Sequence, residues 1–479
     1  MDASRTLMAS RARRAFDDLV QEIAHFVSSV PPMSTHKHND TMTRRNHQHK
    51  TRHLLETEVH PNAAGIDIGA EELVAAVPVG RDEEPVRTFA TFTPDLHALR
   101  DWLLENGIDT VAMESTGNYW IATHQILEDA GIRVFLVNAR HVKAVPGKKT
   151  DVCDAQWLQH LHTAGLLRGS FRPDKEIIPL RYLMRHRAQL VGSAARELQL
   201  MQKVLTEMNL KLHHVFSDID GMSSIRIIEA ILAGQRDVGA LWELRSRRCR
   251  APKARFLAAV QGDWREEYLF VLRQCLERWK SANADIASCD EQIGRLVAAV
   301  GGVTGEPAPE VPAQRRRGSK NDPAFAIREE AWRFYGVDLS EIDGIGAGTL
   351  SVLMSELGTG EQIVANFRSG AAFASWLGLC PDNRISGGKV LKSKTRRVTH
   401  KVAQALRMAA QALGHSKSGL GDYTRRMKAR LGKAEGITAA AHRLARIIYA
   451  MIKNRTAYNE ATAFKPTPKT VNRRLRNLR

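Results

Sequence analysis

The stretch Ala63-Ala-Gly-Ile-Asp-Ile68 decides the fold class. It is apolar except at Asp67, which alternates with Ile66 and Ile68 and therefore points to the opposite face of a strand. The strand pattern resumes over Glu72–Val77 and Val86–Phe92, and a helical pattern runs from Asp95 to Glu105. An apolar strand over Thr110–Met113, a helix near Ile121–Ala130 and a strand over Arg133–Val137 follow. Three neighbouring strands and then helix and strand in alternation predict an RNase H-like α/β sheet.

Acids fall where such a sheet carries chemistry. Glu114 ends an apolar strand ahead of Ser115-Thr-Gly117, at the carboxyl edge where α/β sheets place their sites. Lys149-Thr-Asp-Val-Cys-Asp-Ala-Gln-Trp-Leu158 reads as a helix start that sets Asp151 and Asp154 three residues apart, on one helix face. Thr150 or Asp151 is expected to cap that helix, which should pack on the sheet. Taken singly, Asp67 reads equally well as a hydrogen-bonded structural carboxylate and Asp151 as a cap. As a set, Asp67, Glu114, Asp151 and Asp154 would repel one another unless a hard cation neutralised them, and Mg²⁺ or Mn²⁺ prefers such oxygen ligands. Four converging carboxylates predict a divalent-metal site able to serve phosphodiester chemistry.

The partner is written in the charge. The chain has 479 residues and a net charge of +18, and Arg384–Arg479 carries 24 Lys and Arg against Asp422, Glu435 and Glu460. That segment holds +21 and leaves −3 for the rest. A basic block on a nearly neutral protein suits a phosphate backbone, so DNA or RNA is the expected partner, bound with strong salt dependence. Five scattered cysteines without a Cys-x-x-Cys pair point to a reduced compartment and no structural zinc. No run approaches eighteen apolar residues and no signal core is present, so a cytoplasmic, nucleoid-associated protein with no membrane partner is expected.

Six segments are expected. Residues 1–60 form a disordered basic, His-rich leader, within which Met33 and Met42 offer alternative starts; 61–176 hold the acid-bearing domain. Residues 177–300 are helical, with long amphipathic patterns that imply an antiparallel coiled-coil arm for dimerisation and a helical insertion near 216–263. A linker at 301–323, a mostly α-helical domain at 324–462 and a basic tail at 463–479 complete the chain.

Two motifs lie in the last domain. Ile342-Asp-Gly-Ile-Gly-Ala-Gly-Thr349 has the glycine pattern of a helix-hairpin-helix turn, with Gly344 and Gly346 letting helix-start N–H groups approach a phosphate. Leu377-Gly-Leu-Cys-Pro-Asp-Asn-Arg-Ile-Ser-Gly-Gly-Lys389 sets Ser386 among Arg384, Lys389, Lys392, Lys394, Arg396 and Arg397 as candidate nucleic-acid contacts. With no His nearby in sequence to activate it, Ser386 reads on chemistry alone as a turn serine.

The ordered motifs Gly65-Ile-Asp-Ile-Gly69, Glu114-Ser-Thr-Gly-Asn-Tyr-Trp120, Val137-Asn-Ala-Arg-His-Val142, Lys149-Thr-Asp-Val-Cys-Asp-Ala155, Ile342-Asp-Gly-Ile-Gly346 and Gly378-Leu-Cys-Pro381 with Ser386-Gly387 span residues 63–415. In this the chain resembles the DEDD transposases of insertion sequences, relatives of the Piv/MooV DNA invertases. The resemblance implies a RuvC-like domain whose Asp67, Glu114, Asp151 and Asp154 bind Mg²⁺. It also implies a C-terminal transposase domain whose Ser386 is the nucleophile that joins to DNA. A non-coding bridge RNA pairing with donor and target DNA is implied as a partner, as is a tetramer built from two dimers in which the acids of one subunit meet the serine of another. The His-rich leader, the insertion at 216–263 and Lys392-Ser-Lys-Thr-Arg-Arg397 depart from the family pattern.

The leading expectation is therefore an RNA-guided recombinase that cleaves and rejoins DNA at element ends and target. The nearest rival is a metal-dependent nuclease or Holliday-junction resolvase-like enzyme that hydrolyses without rejoining. An actin-like or sugar-kinase ATPase shares the Ile66-Asp-Ile-Gly69 opening but needs later Gly-rich loops that the first domain lacks. A non-catalytic nucleic-acid-binding protein would leave the four acids idle.

Overall fold

A computed structural model describes residues 58–114, 117–138, 142, 153–247, 249–310, 318–396 and 398–463, less the side chains of Arg384, Lys392 and Thr462. The expected leader through residue 57, the tail from 464, Asp151 and Arg397 lie outside the described residues. The chain divides into two compact units, one reaching to Arg172 and including Arg384–Leu391, the other comprising Pro173–Asn383 and the chain from Lys392 onward.

The first unit is built on β1 (Ala63–Ile68), β2 (Glu72–Ala76), β3 (Val86–Ala90), α1 (Thr93–Glu105), β4 (Thr110–Glu114), α2 (Trp120–Asp129), β5 (Arg133–Val137) and α3 (Asp154–Thr163). The five-stranded sheet has the order β3-β2-β1-β4-β5, antiparallel from β3 to β1 and parallel from β1 through β4 to β5. This mixed sheet is compatible with the RNase H-like fold read from the sequence.

The two sheet faces bury different sets. Ile66, Ile68, Val111 and Met113 pack with Leu96, Leu99 and Leu103 of α1 and Leu127 of α2. Each such buried side chain contributes roughly 1.5–3 kcal/mol. The other face, carrying Ala112 and Val137, packs on Trp157, Leu158 and Leu161 of α3. Gly65 belongs to that face: a Cβ there would stand 2.2 Å from the Ala155 carbonyl oxygen and 2.3 Å from the Gln159 nitrogen.

In the second unit, α4 (Ile177–Glu207) is followed by the short helices α5 (Met222–Leu232), α6 (Val238–Glu243) and α7 (Lys253–Ala259), then by α8 (Glu266–Ala299). Helices α4 and α8, each roughly 45–50 Å long at 1.5 Å per residue, run antiparallel. Leu183 O accepts from Cys289 Sγ at 3.6 Å near one end, and Glu197 pairs with Arg278 at 3.1 Å further along. Buried Arg187 and Asp290 tie the two helices together, and Asp290 also accepts from the Ala324 N–H. The insertion between them is a cap of three short helices, cored by Ile227, Ile228, Ile231, Leu241, Phe256 and Val260.

The remaining elements are α9 (Ile327–Tyr335), α10 (Ala347–Leu357), α11 (Gly360–Asn366), α12 (Gly370–Trp376), β6 (Pro381–Ser386), β7 (Lys389–Thr395), α13 (Lys401–Ala412), α14 (Gly419–Leu431), α15 (Lys433–Asn454) and α16 (Glu460–Ala463). Glu356 of α10, 4% exposed, accepts from Arg185 of α4 and forms an ion pair with Arg181 of the same helix, which locks α4 to this bundle. Where the expected linker is described, it is held by α9: Val303 N–H donates to Arg333 O and Trp332 Nε1 to Glu306 O. The hairpin β6–β7 interrupts a domain expected to be helical. Gly387 (φ +53°) and Gly388 (φ +76°) form a two-residue turn with both φ values positive, the geometry that matches strand twist in tight hairpins.

Candidate active site

Register brings two of the acids together. In the parallel pair β1–β4, Ile66 stands opposite Met113, so Asp67 and Glu114 are the next residues on adjacent strands. Side chains alternate along a strand, so Asp67 shares the face of Gly65 and Glu114 that of Ala112. That is the face covered by α3, whose first residue is Asp154. Asp67, Glu114 and Asp154 therefore belong to one side of the sheet, the first two partly buried and Asp154 exposed.

The helix start differs from its sequence reading. The expected cap at Thr150 or Asp151 is corrected: Cys153 is the N-cap, accepting from the Gln156 N–H while the Gln156 side chain accepts from the Cys153 N–H. Helix α3 begins at Asp154, and Asp151, three residues earlier in sequence, lies outside the described residues. The physical reason for the cap at Cys153 is the reciprocal bonding available to Gln156, which satisfies two N–H groups at once. Among the described residues, no three of His, Cys, Asp and Glu stand close enough to hold a metal ion. The donor set is all oxygen on the described strands and helix, which suits a hard cation, and its fourth carboxylate lies outside the described residues.

Supporting residues escaped the sequence reading. His162, at the last turn of α3, meets Thr110 Oγ1 at 2.9 Å and so fixes the helix to the start of β4. Burial, then the charges of His60 and Arg133, push its pKa down to about 3. Behind Glu114, Trp120 Nε1 donates to Gly117 O at 3.1 Å, and the Arg172 guanidinium lies 5.5 Å above the Trp120 ring. Arg172 also donates to His124, whose pKa is pushed down to about 4 by burial and then by Arg172. Trp120 stood in the quoted Glu114 motif; Arg172, fifty-odd residues on, carried no local signal.

The remaining candidates are distributed over the C-terminal elements. Ser386 is exposed, ending β6 immediately before the Gly387-Gly388 turn, and Arg384–Leu391 is part of the same compact unit as the acid-bearing sheet. Lys389 and Lys394 are exposed on β7, while Arg396 donates to Ser375 O at 2.6 Å and so closes the end of α12. Lys392 and Arg384 lie on the hairpin strands. In the Gly-rich turn before α10, Gly344 (φ +85°) has the Ala409 carbonyl 2.9 Å from where a Cβ would be, so it packs against α13. Gly346 is the N-cap of α10 with open space around it, and a 3₁₀ turn at Leu339–Glu341 precedes the motif in place of a full α-helix.

A sheet of this order, with carboxylates near the ends of adjacent parallel strands and a strongly basic C-terminal segment, is compatible with an RNase H-like enzyme acting on nucleic acid. Two family models agree: a DEDD transposase model matches residues 64–210, and a model of the transposase IS116/IS110/IS902 family matches residues 338–425. The chain belongs to the IS110-family DEDD transposases. No curated protein matches it.

Proposed function

We propose that the protein is an RNA-guided DNA recombinase in which Ser386 forms a covalent link to DNA, assisted by a carboxylate site of Asp67, Glu114, Asp151 and Asp154. The observation that carries the reading is the pairing of Asp67 and Glu114 across β1 and β4 on the α3 face, with exposed Ser386, in the hairpin tip Arg384–Leu391, assigned to the same compact unit. The four carboxylates would hold Mg²⁺ or Mn²⁺, which supplies charge neutralisation at a phosphate.

The chain's own residues account for the covalent step. Ser386 Oγ bonds to the phosphorus of a DNA strand, the P–O bond to the adjoining sugar breaks, and the serine proton passes to the departing sugar oxygen. Rejoining reverses this with a hydroxyl from the exchanged strand, which displaces Ser386 and returns its proton. A two-residue turn leaves Ser386 Oγ accessible to a duplex, and Lys389 and Lys394 are suited to hold phosphates beside it. The turn before α10 offers its helix-start N–H groups at Gly346 to another phosphate in a helix-hairpin-helix manner. Sequence choice is carried by a bridge RNA, and α4 with α8 serves as a coiled-coil arm joining subunits into a dimer or tetramer.

The test is to recover the nucleic acid that co-purifies with the protein and incubate the complex with an element junction, a target duplex and Mg²⁺. Recombined products that require the RNA, and that are lost in Ser386→Ala, support the reading. Nicked products that persist in Ser386→Ala would mean a hydrolytic nuclease instead.

A further inference from the structure

The helical cap between α4 and α8 carries a charge pattern of its own, which the C-terminal basic block does not include. Leu244–Arg255 holds six cations, Arg245, Arg247, Arg248, Arg250, Lys253 and Arg255, and no acid occurs from Leu244 to Gly262. Arg247, Arg250, Lys253 and Arg255 are exposed, and among the described residues none of them pairs with a carboxylate. Like charges held together on a surface destabilise a fold unless an anion neutralises them.

Aromatic groups accompany the charge. The Arg245 guanidinium lies 3.4 Å from the Trp242 ring centroid, with the Lys253 ammonium at 6.0 Å. At the other end of α6, Arg236 lies 4.6 Å from the Trp264 ring centroid. Both residues line an open cleft of about 580 Å³ with Asn209, Gln261 and Asp263. The cleft thus offers a flat cation-on-ring surface beside amide and carboxylate groups able to bond a base edge. Helix α6 separates it from the basic segment by only about 8 Å at 1.5 Å per residue, close enough for one strand to reach both.

We infer that this cap is a binding site for single-stranded nucleic acid: Arg247 and Arg250, with Lys253 and Arg255 in the first turn of α7, hold consecutive phosphates, and the Arg236–Trp264 cleft receives an unstacked base. A base must leave its neighbours to lie on an aromatic or guanidinium plane, which paired duplex bases do not do. The site lies beyond the proposed chemistry at Ser386 and does not depend on it.

The experiment uses the full chain. Fluorescent single-stranded RNA, single-stranded DNA and duplex DNA of mixed sequence are each titrated by anisotropy at several KCl concentrations, and single-strand complexes are photocrosslinked and their peptides mapped. The variant Arg247→Glu/Arg250→Glu/Lys253→Glu/Arg255→Glu changes only exposed side chains. It should weaken single-strand binding at least about tenfold and reduce the salt slope by about 2–3, at about 0.7 for each phosphate no longer neutralised. Gln261→Ala should weaken single strands and leave duplex binding unchanged, and crosslinks should fall on peptides containing Trp242 or Trp264. Preference for RNA or for DNA, either of which supports the site, identifies the source of the strand. Unchanged affinity and salt slope in the fourfold variant, or equal losses for duplex and single strand, would overturn the inference. Because no cleavage is measured, the result stands apart from the fate of Ser386.

Discussion

Gly65 of β1 and Ala155 of α3 approach so closely that a Cβ on Gly65 would stand 2.2 Å from the Ala155 carbonyl oxygen. The helix that begins with Asp154 is therefore seated directly on the strand that carries Asp67. Gly65→Ala must push α3 away from the sheet. Such overpacking costs about 1–3 kcal/mol, and the displacement separates Asp154 from Asp67 and Glu114. Thermal melts should show a lowered but cooperative transition, and DNA cleavage should fall far more than the loss of folded protein accounts for. Wild-type cleavage in Gly65→Ala would show that the seating of α3 does not matter to the chemistry.

Cys153 caps the same helix. Its thiol accepts from the Gln156 N–H at 3.4 Å, and sulfur is a weaker acceptor there than a hydroxyl oxygen. Cys153→Ser should leave stability equal or raised and activity intact, while Cys153→Val should cost about 1 kcal/mol. Denaturant titration of the two variants checks the order. A more stable Val variant would remove the cap from the account of α3.

The buried pair Arg187–Asp290 predicts a larger effect. Asp290 is 4% exposed and accepts from Arg187 Nη2 at 3.0 Å and from the Ala324 N–H at 3.1 Å. Asp290→Ala leaves a buried guanidinium uncompensated and should destabilise the second unit by about 3–5 kcal/mol. Replacing both partners, as Arg187→Met/Asp290→Leu, should restore much of that loss. A double variant as unstable as the single one would contradict this pairing of α4 with α8.

Acid should loosen the first unit through His162. Its folded pKa, about 3, lies below the unfolded value near 6.5, so between the two values the unfolded chain binds the additional proton. The stabilising contribution is complete above about pH 6.5 and is lost as pH falls toward the folded value. At about pH 5 the loss is on the order of 2 kcal/mol. His162→Gln, which keeps a partner for Thr110, should make the fall in Tm between about pH 7 and pH 5 shallower. An unaltered pH dependence would mean that His162 does not stay neutral in the fold.

What could be read from the sequence, and what could not, divides along local and non-local physics. The strands β1 to β5 were legible because apolar alternation and short turns specify them locally, and the opposite facing of Asp67 from Ile66 and Ile68 followed from the pleat alone. The helix start at Asp154 was misread because Asp and Thr are better caps than Cys, and only the reciprocal bond with Gln156 reverses that order. The β6–β7 hairpin hid behind its lysines: charge on exposed strands masks alternation, although Gly387-Gly388 was a hairpin signal. Arg172, His124 and His162 had no local mark at all, since their partners lie about fifty residues away along the chain.

The most direct measurement is the mass of the bond itself. The protein with its co-purified RNA is incubated with a labelled junction duplex and Mg²⁺, quenched in denaturant, digested with nuclease and protease, and its peptides sequenced by mass spectrometry. A nucleotide phosphate attached to Ser386, formed in the wild type and absent from Ser386→Ala, is the expected result. Cleaved DNA with no adduct at Ser386, and undiminished cleavage in Ser386→Ala, would contradict the serine intermediate and leave a metal-dependent nuclease in its place.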